Sequence, residues 1–210
     1  MRQGRALADV LVVTAVEAER EAVLRVLGRD GSVRVVVGGV GPAAAAAATA
    51  NALRVRTDLV LCVGIGGGFG PLVPGDLAVA SSIVFADLGA ETPEGFVPVS
   101  ELGFGGESYP VAPKLAVELA DRTGGHLGTI VTVATVTGSA GRADALTARF
   151  PDAVAEGMEG AGVAAAAALL GVPFAEIRAI SNPVGPRDRT SWQIPRALTA
   201  LGSAVAAAVA

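Results

Sequence analysis

The chain has 210 residues, a length that suits one ordinary domain and can bury a core without disulfides or a structural metal. Acidic residues number 20 and basic residues 16, and the resulting net charge of −4 argues against a general nucleic-acid binder, which would be basic. The single cysteine, Cys62, and the single histidine, His126, exclude an internal disulfide and a metal site built from several cysteines or histidines. They also argue against a Ser-His-Asp triad.

The mean hydropathy of +0.56 raises the question of a membrane span. The longest uncharged runs, 35–53 and 59–75, are interrupted by glycine and proline, so neither predicts a spanning helix of about 20 apolar residues. Residues 1–8 carry no long apolar run of the secretory type and are predicted to form a flexible N-terminus. We therefore expect a cytoplasmic protein of one domain, residues 1–210, with no membrane or nucleic-acid partner.

Apolar strands and helices alternate through the first 85 residues. In chain order, the patterns predict a strand at Val10–Thr14, a helix at Glu17–Leu27, a strand at Val33–Val37, a helix at Ala43–Leu53 with Pro42 in its first turn, and strands at Leu59–Val63 and Leu77–Phe85.

The stretch Asp87–Pro113 is rich in Gly, Pro, Ser and Glu and is predicted to be a long functional loop. After it we expect a helix at Pro113–Arg122, a strand at Gly128–Ala134, helices at Arg142–Phe150 and Glu159–Leu170, a strand at Phe174–Ile180 and a helix at Trp192–Ala208. This alternation predicts an α/β fold, a single-domain three-layer α/β/α sandwich with a central mixed sheet. His126 is predicted to lie in a surface turn, and Cys62 to pack inside a strand.

A run of glycines, Val63–Gly70, follows the third strand. Prolines at 71 and 74 follow it instead of a helix, so it is not a dinucleotide fingerprint, and no GKS or GKT sequence occurs that would make a P-loop. Two interpretations remain open. The run either contacts a ligand, with Ile65 and Gly66 as binding residues, or is a tight turn that needs positive φ.

Two glutamates stand where a strand meets a helix. Glu19 follows the first strand, where it could face the ligand crevice of an α/β sheet or could merely complement the helix dipole. Glu159 lies between glycines at 157, 160 and 162, which indicates that something approaches the backbone closely. The alternative for Glu159 is an ordinary N-terminal helix glutamate.

Polar residues end the last strand and fill the loop after it. Ser181 and Asn182 stand at the usual ligand edge of the sheet, although Asn-Pro is also a common start of a turn. If the following loop has only a structural role, Thr190 or Ser191 would cap the final helix.

Five segments in this order resemble the nucleoside phosphorylase and nucleosidase superfamily. They are Thr14–Glu19, Gly39–Gly41, Gly64–Gly68, Gly157–Ala161 and Arg178–Asn182. The general pattern is similar to that of the methylthioadenosine and adenosylhomocysteine nucleosidases. The stretches Phe85–Glu91 and Ser181–Asp188 resemble those of futalosine hydrolases in particular, enzymes that use water to split futalosine into hypoxanthine and dehypoxanthine futalosine in the alternative menaquinone pathway.

The resemblance implies a role for each matching residue. Glu19 would activate water, Glu159 would bind the ribose hydroxyls, Met158 would lie against the ribose face, Ser181 and Asn182 would meet the purine, and Thr135 and Val136 would line the base pocket. It also implies a small-molecule nucleoside substrate, no cofactor, no metal, and a homo-oligomer, a dimer or higher.

Asn182 is where this chain departs from the adenine-specific nucleosidases, which carry an aspartate there. An amide cannot protonate N7, but its NH₂ can donate to N7 or O6, which suits hypoxanthine. The proton donor to the base stays open among water, Asp87, Glu91 and Asp188. No arginine or lysine occurs from Thr57 to Asp87, so water is favoured over phosphate as the nucleophile.

Other functions stay open at this stage: another purine nucleosidase or phosphorylase acting on inosine or methylthioadenosine, or a non-catalytic nucleoside-binding protein. The substrate's benzoate could be bound by Arg187 or Arg189, with the aromatic loop Phe96–Tyr109 stacking on its ring. The alternative is that both arginines are solvated loop residues.

Overall fold

The computed structural model of the chain describes residues 9–28 and 31–210, so the N-terminus predicted to be flexible, residues 1–8, lies outside the described residues. The strands are β1 (Val10–Thr14), β2 (Val33–Val37), β3 (Leu59–Gly68), β4 (Leu77–Phe85), β5 (Gly89–Thr92), β6 (Gly95–Pro98), β7 (Ser108–Pro110), β8 (His126–Thr132), β9 (Ala153–Gly157) and β10 (Phe174–Pro183). The helices are α1 (Glu17–Leu27), α2 (Pro42–Ala52), α3 (Pro113–Thr123), α4 (Ala140–Arg149), α5 (Gly160–Leu169) and α6 (Ile194–Val209), with a short 3₁₀ turn at Arg189–Ser191.

The central sheet is mixed, and part of it closes on itself. Its strand order is β10-β4-β8-β9-β3-β1-β2, and β10 also pairs with β3, so that β10, β4, β8, β9 and β3 form a ring. The pairs β10–β4 and β3–β9 are antiparallel, whereas β1–β2, β1–β3, β10–β3, β4–β8 and β8–β9 are parallel. The α/β fold with a central mixed sheet is therefore confirmed.

Helices cover both faces of the sheet because the buried strands are apolar on both sides. In β1, Val10 and Val12 join the core beneath α1, α3 and α6, while Leu11 and Val13 join the core beneath α2 and α5. Such alternation between two apolar faces is expected of a strand buried on both sides. No helix in the described part of the chain is long and apolar enough to cross a membrane.

The predicted strand and helix positions are largely confirmed, with several corrections. Each of the two interpretations of the glycine run describes part of it, since 64–68 continue β3 as extended strand, whereas Gly70 lies in a turn with positive φ. The predicted loop Asp87–Pro113 contains the β5–β6 hairpin and β7. The strand β9 was not predicted. His126 is exposed as expected but begins β8 instead of lying in a turn.

The start of the last helix also differs from the prediction. α6 begins at Ile194, two residues later than expected, because Pro195 fits only the first turn of a helix. Thr190 and Ser191 do not cap it. They lie in the 3₁₀ turn, where Thr190 donates its backbone N–H to the side chain of Asp188.

Candidate active site

A cavity of about 270 Å³ opens where β1 and β3 part. The two strands pair as far as Val13 and Cys62, after which β3 continues alone to Gly68. The two diverging strands leave a crevice at the carboxyl edge of the parallel strands, where α/β sheets commonly bind ligands. Its walls come from the start of α1, the glycine part of β3, the end of β9 and the end of β10 with the loop after it.

Glu19 bridges the gap between the two parting strands. Its Oε2 accepts hydrogen bonds from the backbone N–H groups of Ala15 at 2.8 Å and Val16 at 3.3 Å, and its Oε1 accepts one from Ile65 at 2.9 Å. Burial raises the pKa of Glu19, although the nearby Arg178 charge and the backbone hydrogen bonds counter part of that rise. The structure therefore holds a buried carboxylate with elevated proton affinity in the cavity wall.

Arg178 lies at the centre of a buried charge cluster. Its Nη1 contacts Glu159 Oε2 at 3.0 Å, its Nε donates to Glu176 Oε1 at 2.7 Å, and its side chain is only 2% exposed. Burial alone would lower the pKa of the guanidinium, but Glu176 and the other surrounding acidic groups raise it well above its usual value. Arg178 is therefore a fixed cation that orients the carboxylate of Glu159.

Glycines make the space for this cluster. A Cβ on Gly64 would lie 2.6 Å from Arg178 Nη1 and 2.8 Å from Glu19 Oε1, and a Cβ on Gly157 would lie 2.7 Å from Arg178 Cζ. A Cβ on Gly160 would overlap the carboxylate of Glu176. The close approach predicted around Glu159 is confirmed, and the approaching groups are Arg178 and Glu176.

One carboxylate oxygen of Glu159 contacts this charge cluster, and the other accepts a hydrogen bond from the turn before α2. Its Oε1 accepts from the backbone N–H of Gly41 at 3.2 Å, at the start of α2, while Oε2 accepts from Met158 N at 3.3 Å and meets Arg178. Glu159 is thus buried but still lines the cavity, as Glu19 does. Two carboxylates and one arginine stand together in this wall.

Ser181 and Asn182 form a second polar group in the cavity. The Ser181 hydroxyl lies within hydrogen-bond distance of Gly66 O, at 3.1 Å, and of Asn182 Oδ1, at 2.7 Å. Asn182 Nδ2 donates to Pro183 O at 2.9 Å. An amide NH₂ carries two protons, so this group retains one donor for a ligand.

Most residues predicted to bind substrate line this one cavity. They are Glu19, Ile65, Gly66, Val136, Met158, Glu159, Ser181, Asn182 and Arg187. Thr135 instead lines a neighbouring depression, together with Asp87 and Glu91. Asp87 accepts there from the backbone N–H groups of Ala134 and Thr135.

The structure separates the two arginines considered for the benzoate. Arg187 lines the cavity beside Trp192, whose ring centroid lies 5.5 Å from Arg187 Cζ. Arg189 also stacks on Trp192, at 5.9 Å, but does not line the cavity. From the aromatic loop, Phe96 lies in the neighbouring depression beneath Arg149.

Three side chains of the site were not assigned a role from the sequence: Arg178, Glu176 and Glu156. Glu176 and Arg178 are charged residues inside the predicted apolar strand Phe174–Ile180, and burial of a charge normally requires a partner, so for these two the pattern was a usable signal. Glu156 is 5% exposed and accepts from Thr137 through the backbone N–H and the hydroxyl. Cys62 packs in its strand as predicted, and its sulfur lies 3.5 Å from Arg178 Nη2.

Comparison with known proteins gives consistent matches over nearly the whole chain. The family model described as "Phosphorylase superfamily" matches residues 6–210. A futalosine hydrolase from Streptomyces coelicolor is 51% identical, with 93% of this chain and 93% of the relative covered. A futalosine hydrolase from Acidothermus cellulolyticus is 46% identical, with 94% of this chain and 88% of the relative covered.

A solved structure reproduces the fold. The methylthioadenosine/adenosylhomocysteine nucleosidase from Colwellia psychrerythraea, in complex with adenine, superposes with a TM-score of 0.83 at 24% identity. The alignment covers 97% of this chain and 95% of that one. At this level of identity the likeness supports the fold alone.

Proposed function

The chain belongs to the phosphorylase superfamily and, within it, to the futalosine hydrolases, and from this premise we propose that it hydrolyses the N-glycosidic bond of futalosine to hypoxanthine and dehypoxanthine futalosine. The observation that carries the proposal is the presence of Glu19 and Glu159 in one cavity with the Asn182 amide. Breaking this bond requires an activated water, stabilisation of a cationic sugar and a place for the departing base.

Each residue takes one part of the reaction. A water at Glu19 gives a proton to that carboxylate while its oxygen bonds to C1′ of the ribose. The C1′–N9 bond breaks and its electron pair goes to the base, which takes up a proton from solvent water, while Glu19 returns to water the proton that it received. Glu159 binds the ribose hydroxyls, and its negative charge favours the positive charge that develops on the sugar.

Water is favoured over phosphate by the charges around the site. Arg178, the buried cation of the cavity wall, is already paired with Glu159 and Glu176, and Glu19 adds a third carboxylate. A phosphate dianion placed there would be repelled, because the surrounding groups carry more negative than positive charge. A neutral water would not be repelled. A phosphorylase or a methylthioadenosine nucleosidase on the same fold is the second candidate, and the superfamily match alone allows it.

A substrate panel tests the proposal. Futalosine, inosine, adenosine and methylthioadenosine are incubated with and without phosphate, and the released base is measured. We expect hypoxanthine from futalosine without phosphate, and ¹⁸O from labelled water in the sugar product. A requirement for phosphate, with a sugar phosphate as product, would falsify the proposal.

Glu19→Gln should lower kcat by about a thousandfold, since about 4 kcal/mol of transition-state stabilisation is lost. Glu17→Gln, on the same helical turn, is the matched control.

We assign the binding of the substrate's benzoate carboxylate to Arg187. Its position on the cavity wall supports this, and the neighbouring Trp192 ring offers a face for the aromatic group. Arg187→Ala should lower kcat/KM for futalosine by about tenfold and leave inosine, which has no benzoate, unchanged. Arg189→Ala is the control, and equal losses for both substrates would reject the assignment.

Three further features of the function are proposals of the same kind. The enzyme acts in the alternative menaquinone pathway, the route to which futalosine belongs. It works in the cytoplasm, as its single cysteine suggests, and as a homo-oligomer. Sedimentation velocity measures the last of these directly, and a monomer at assay concentration would contradict it.

A further inference from the structure

Glu156 is a buried carboxylate of the cavity that the reaction described above does not use. It lies on β9, is 5% exposed, and lines the same cavity as Glu19 and Asn182. Thr137 donates to both of its oxygens, one through the backbone N–H and one through the hydroxyl. A carboxylate oxygen can accept more than one hydrogen bond, so acceptor sites remain for a ligand.

The sheet register places Glu156 and Asn182 on either side of Gly67. Gly67 pairs with Glu156 across the β3–β9 ladder and with Asn182 across the β3–β10 ladder. Two strand spacings separate the backbones of the two polar residues, about 9.5 Å. All three residues line the cavity.

Gly67 lies between these two residues, and the side chain of Val184 packs directly against its backbone. A Cβ at this position would lie 2.7 Å from Val184 Cγ2 and 3.6 Å from Asn182 Nδ2. Gly67 and Val184 both line the cavity, so a flat base can pack against this surface with its polar edge between an amide and a carboxylate. The amide offers a donor, and the carboxylate offers acceptors.

This donor–acceptor pair matches one type of purine. A 6-oxopurine carries acceptors at N7 and O6 and a proton on N1, so it can accept from the Asn182 amide and donate to a carboxylate. A 6-aminopurine has no proton on N1, and its N1 lone pair would face the carboxylate oxygens. Unmatched buried polar groups of this kind are the strongest basis for rejecting an analogue.

We propose that Glu156 is a specificity-determining residue that accepts the N1–H of the 6-oxopurine, so that Asn182 and Glu156 together distinguish hypoxanthine from adenine. The inference rests on the proposed function, whose leaving group is hypoxanthine. Burial raises the pKa of Glu156 while the two Thr137 hydrogen bonds lower it, and a carboxylate so placed gains from one more donor.

The test measures binding of free bases to the intact protein by calorimetry. The wild-type protein should bind hypoxanthine at least tenfold more tightly than 1-methylhypoxanthine, which lacks the N1 proton, and more tightly than adenine. Glu156→Gln should weaken hypoxanthine binding by about ten- to a hundredfold and leave adenine binding unchanged or improved. Glu118→Gln, an exposed carboxylate of α3 paired with Arg122, is the charge-removal control.

The outcomes separate this inference from the proposed function. If the wild-type protein releases hypoxanthine from futalosine but Glu156→Gln changes hypoxanthine and adenine binding by the same factor, Glu156 only anchors the Thr137 segment and the inference is wrong. If the wild-type protein releases no hypoxanthine at all, the proposed function itself fails. The comparison of hypoxanthine with 1-methylhypoxanthine needs no variant, and equal affinity for the two bases would overturn the inference even if Glu156→Gln did not fold.

Discussion

Arg178 lies among three buried carboxylates, those of Glu19, Glu159 and Glu176, and its removal would leave all three without their cation. Removing one partner of a buried ion pair costs about 3–5 kcal/mol because the remaining charge stays desolvated. We therefore expect Arg178→Met to lose about that much stability in urea unfolding.

The control for this change is an exposed arginine. Arg122 pairs with Glu118 at 2.8 Å, but both side chains are more than a third exposed. Arg122→Met should cost less than about 1 kcal/mol. Equal losses for Arg122→Met and Arg178→Met would mean that the buried cluster adds nothing to the free energy of unfolding.

The raised pKa of Glu19 predicts how activity depends on pH. Water activation needs the ionised carboxylate, so kcat/KM falls as the pH drops through the pKa of Glu19 in the folded protein. Burial raises that pKa above the usual 4.5, so the acid limb of the profile should lie above pH 4.5. The pKa of Glu156 is also raised, so Glu156 is a second group that could produce such a limb. If Glu19 is the source, the acid limb persists in Glu156→Gln. An acid limb at or below 4.5 would argue against Glu19 as the base.

At the scale of elements, α2 and α5 pack unusually closely because α5 carries glycine at the contact. A Cβ on Gly162 would overlap the backbone carbonyl of Pro42, at the first turn of α2. Gly162→Ala should therefore cost about 1–3 kcal/mol, since the helices must move apart. Thermal or urea unfolding measures the loss.

Gly141 in α4 offers the opposite case. A Cβ there meets nothing within 4 Å, and the position is exposed and helical. Gly141→Ala should stabilise the protein by about 0.4–1 kcal/mol, because alanine loses less backbone freedom on folding. If both alanine variants changed stability in the same direction, close packing at Gly162 would not be the cause.

The sequence predicted best those elements whose pattern is local. The bounds of β1, α1, β2 and β4 agree with the prediction, because each is a clear apolar or amphipathic run. The strand β9 was missed since it is short, contains Glu156, and owes its extended form to pairing with β8 and β3. Local propensity holds no information about such long-range partners.

The residues of the site also differ in whether local sequence was enough to predict them. Glu19, Glu159 and Asn182 could be found because they stand next to strand ends and in recognisable motifs. The contact between Glu156 and Thr137 could not be predicted from the sequence, since it depends on how β9 lies beside the segment after β8. The placement of Thr135 outside the main cavity also depends on that backbone path, which a resemblance in sequence does not fix.

For the whole molecule, ligand binding should appear as added thermal stability. A ligand at a hundred times its Kd stabilises the folded state by about 2.7 kcal/mol, which raises Tm by about 5–10 °C for a chain of this size. We expect that rise with hypoxanthine and none with inorganic phosphate, which the acidic surroundings of Arg178 disfavour. A rise with phosphate comparable to that with hypoxanthine would support the phosphorylase alternative.

The carboxylate of Glu19 accepts hydrogen bonds from the backbone N–H groups of Ala15, Val16 and Ile65, and this affects which substitutions the family can tolerate. Every amino acid except proline supplies a backbone N–H. The three hydrogen bonds to Glu19 therefore place no constraint on the side chains at 15, 16 and 65 except that none may be proline, provided that the backbone keeps its path. Packing limits Ala15, which is buried, and substrate contact limits Ile65, which lines the cavity, but the position of the Glu19 carboxylate is inherited through the path of the backbone.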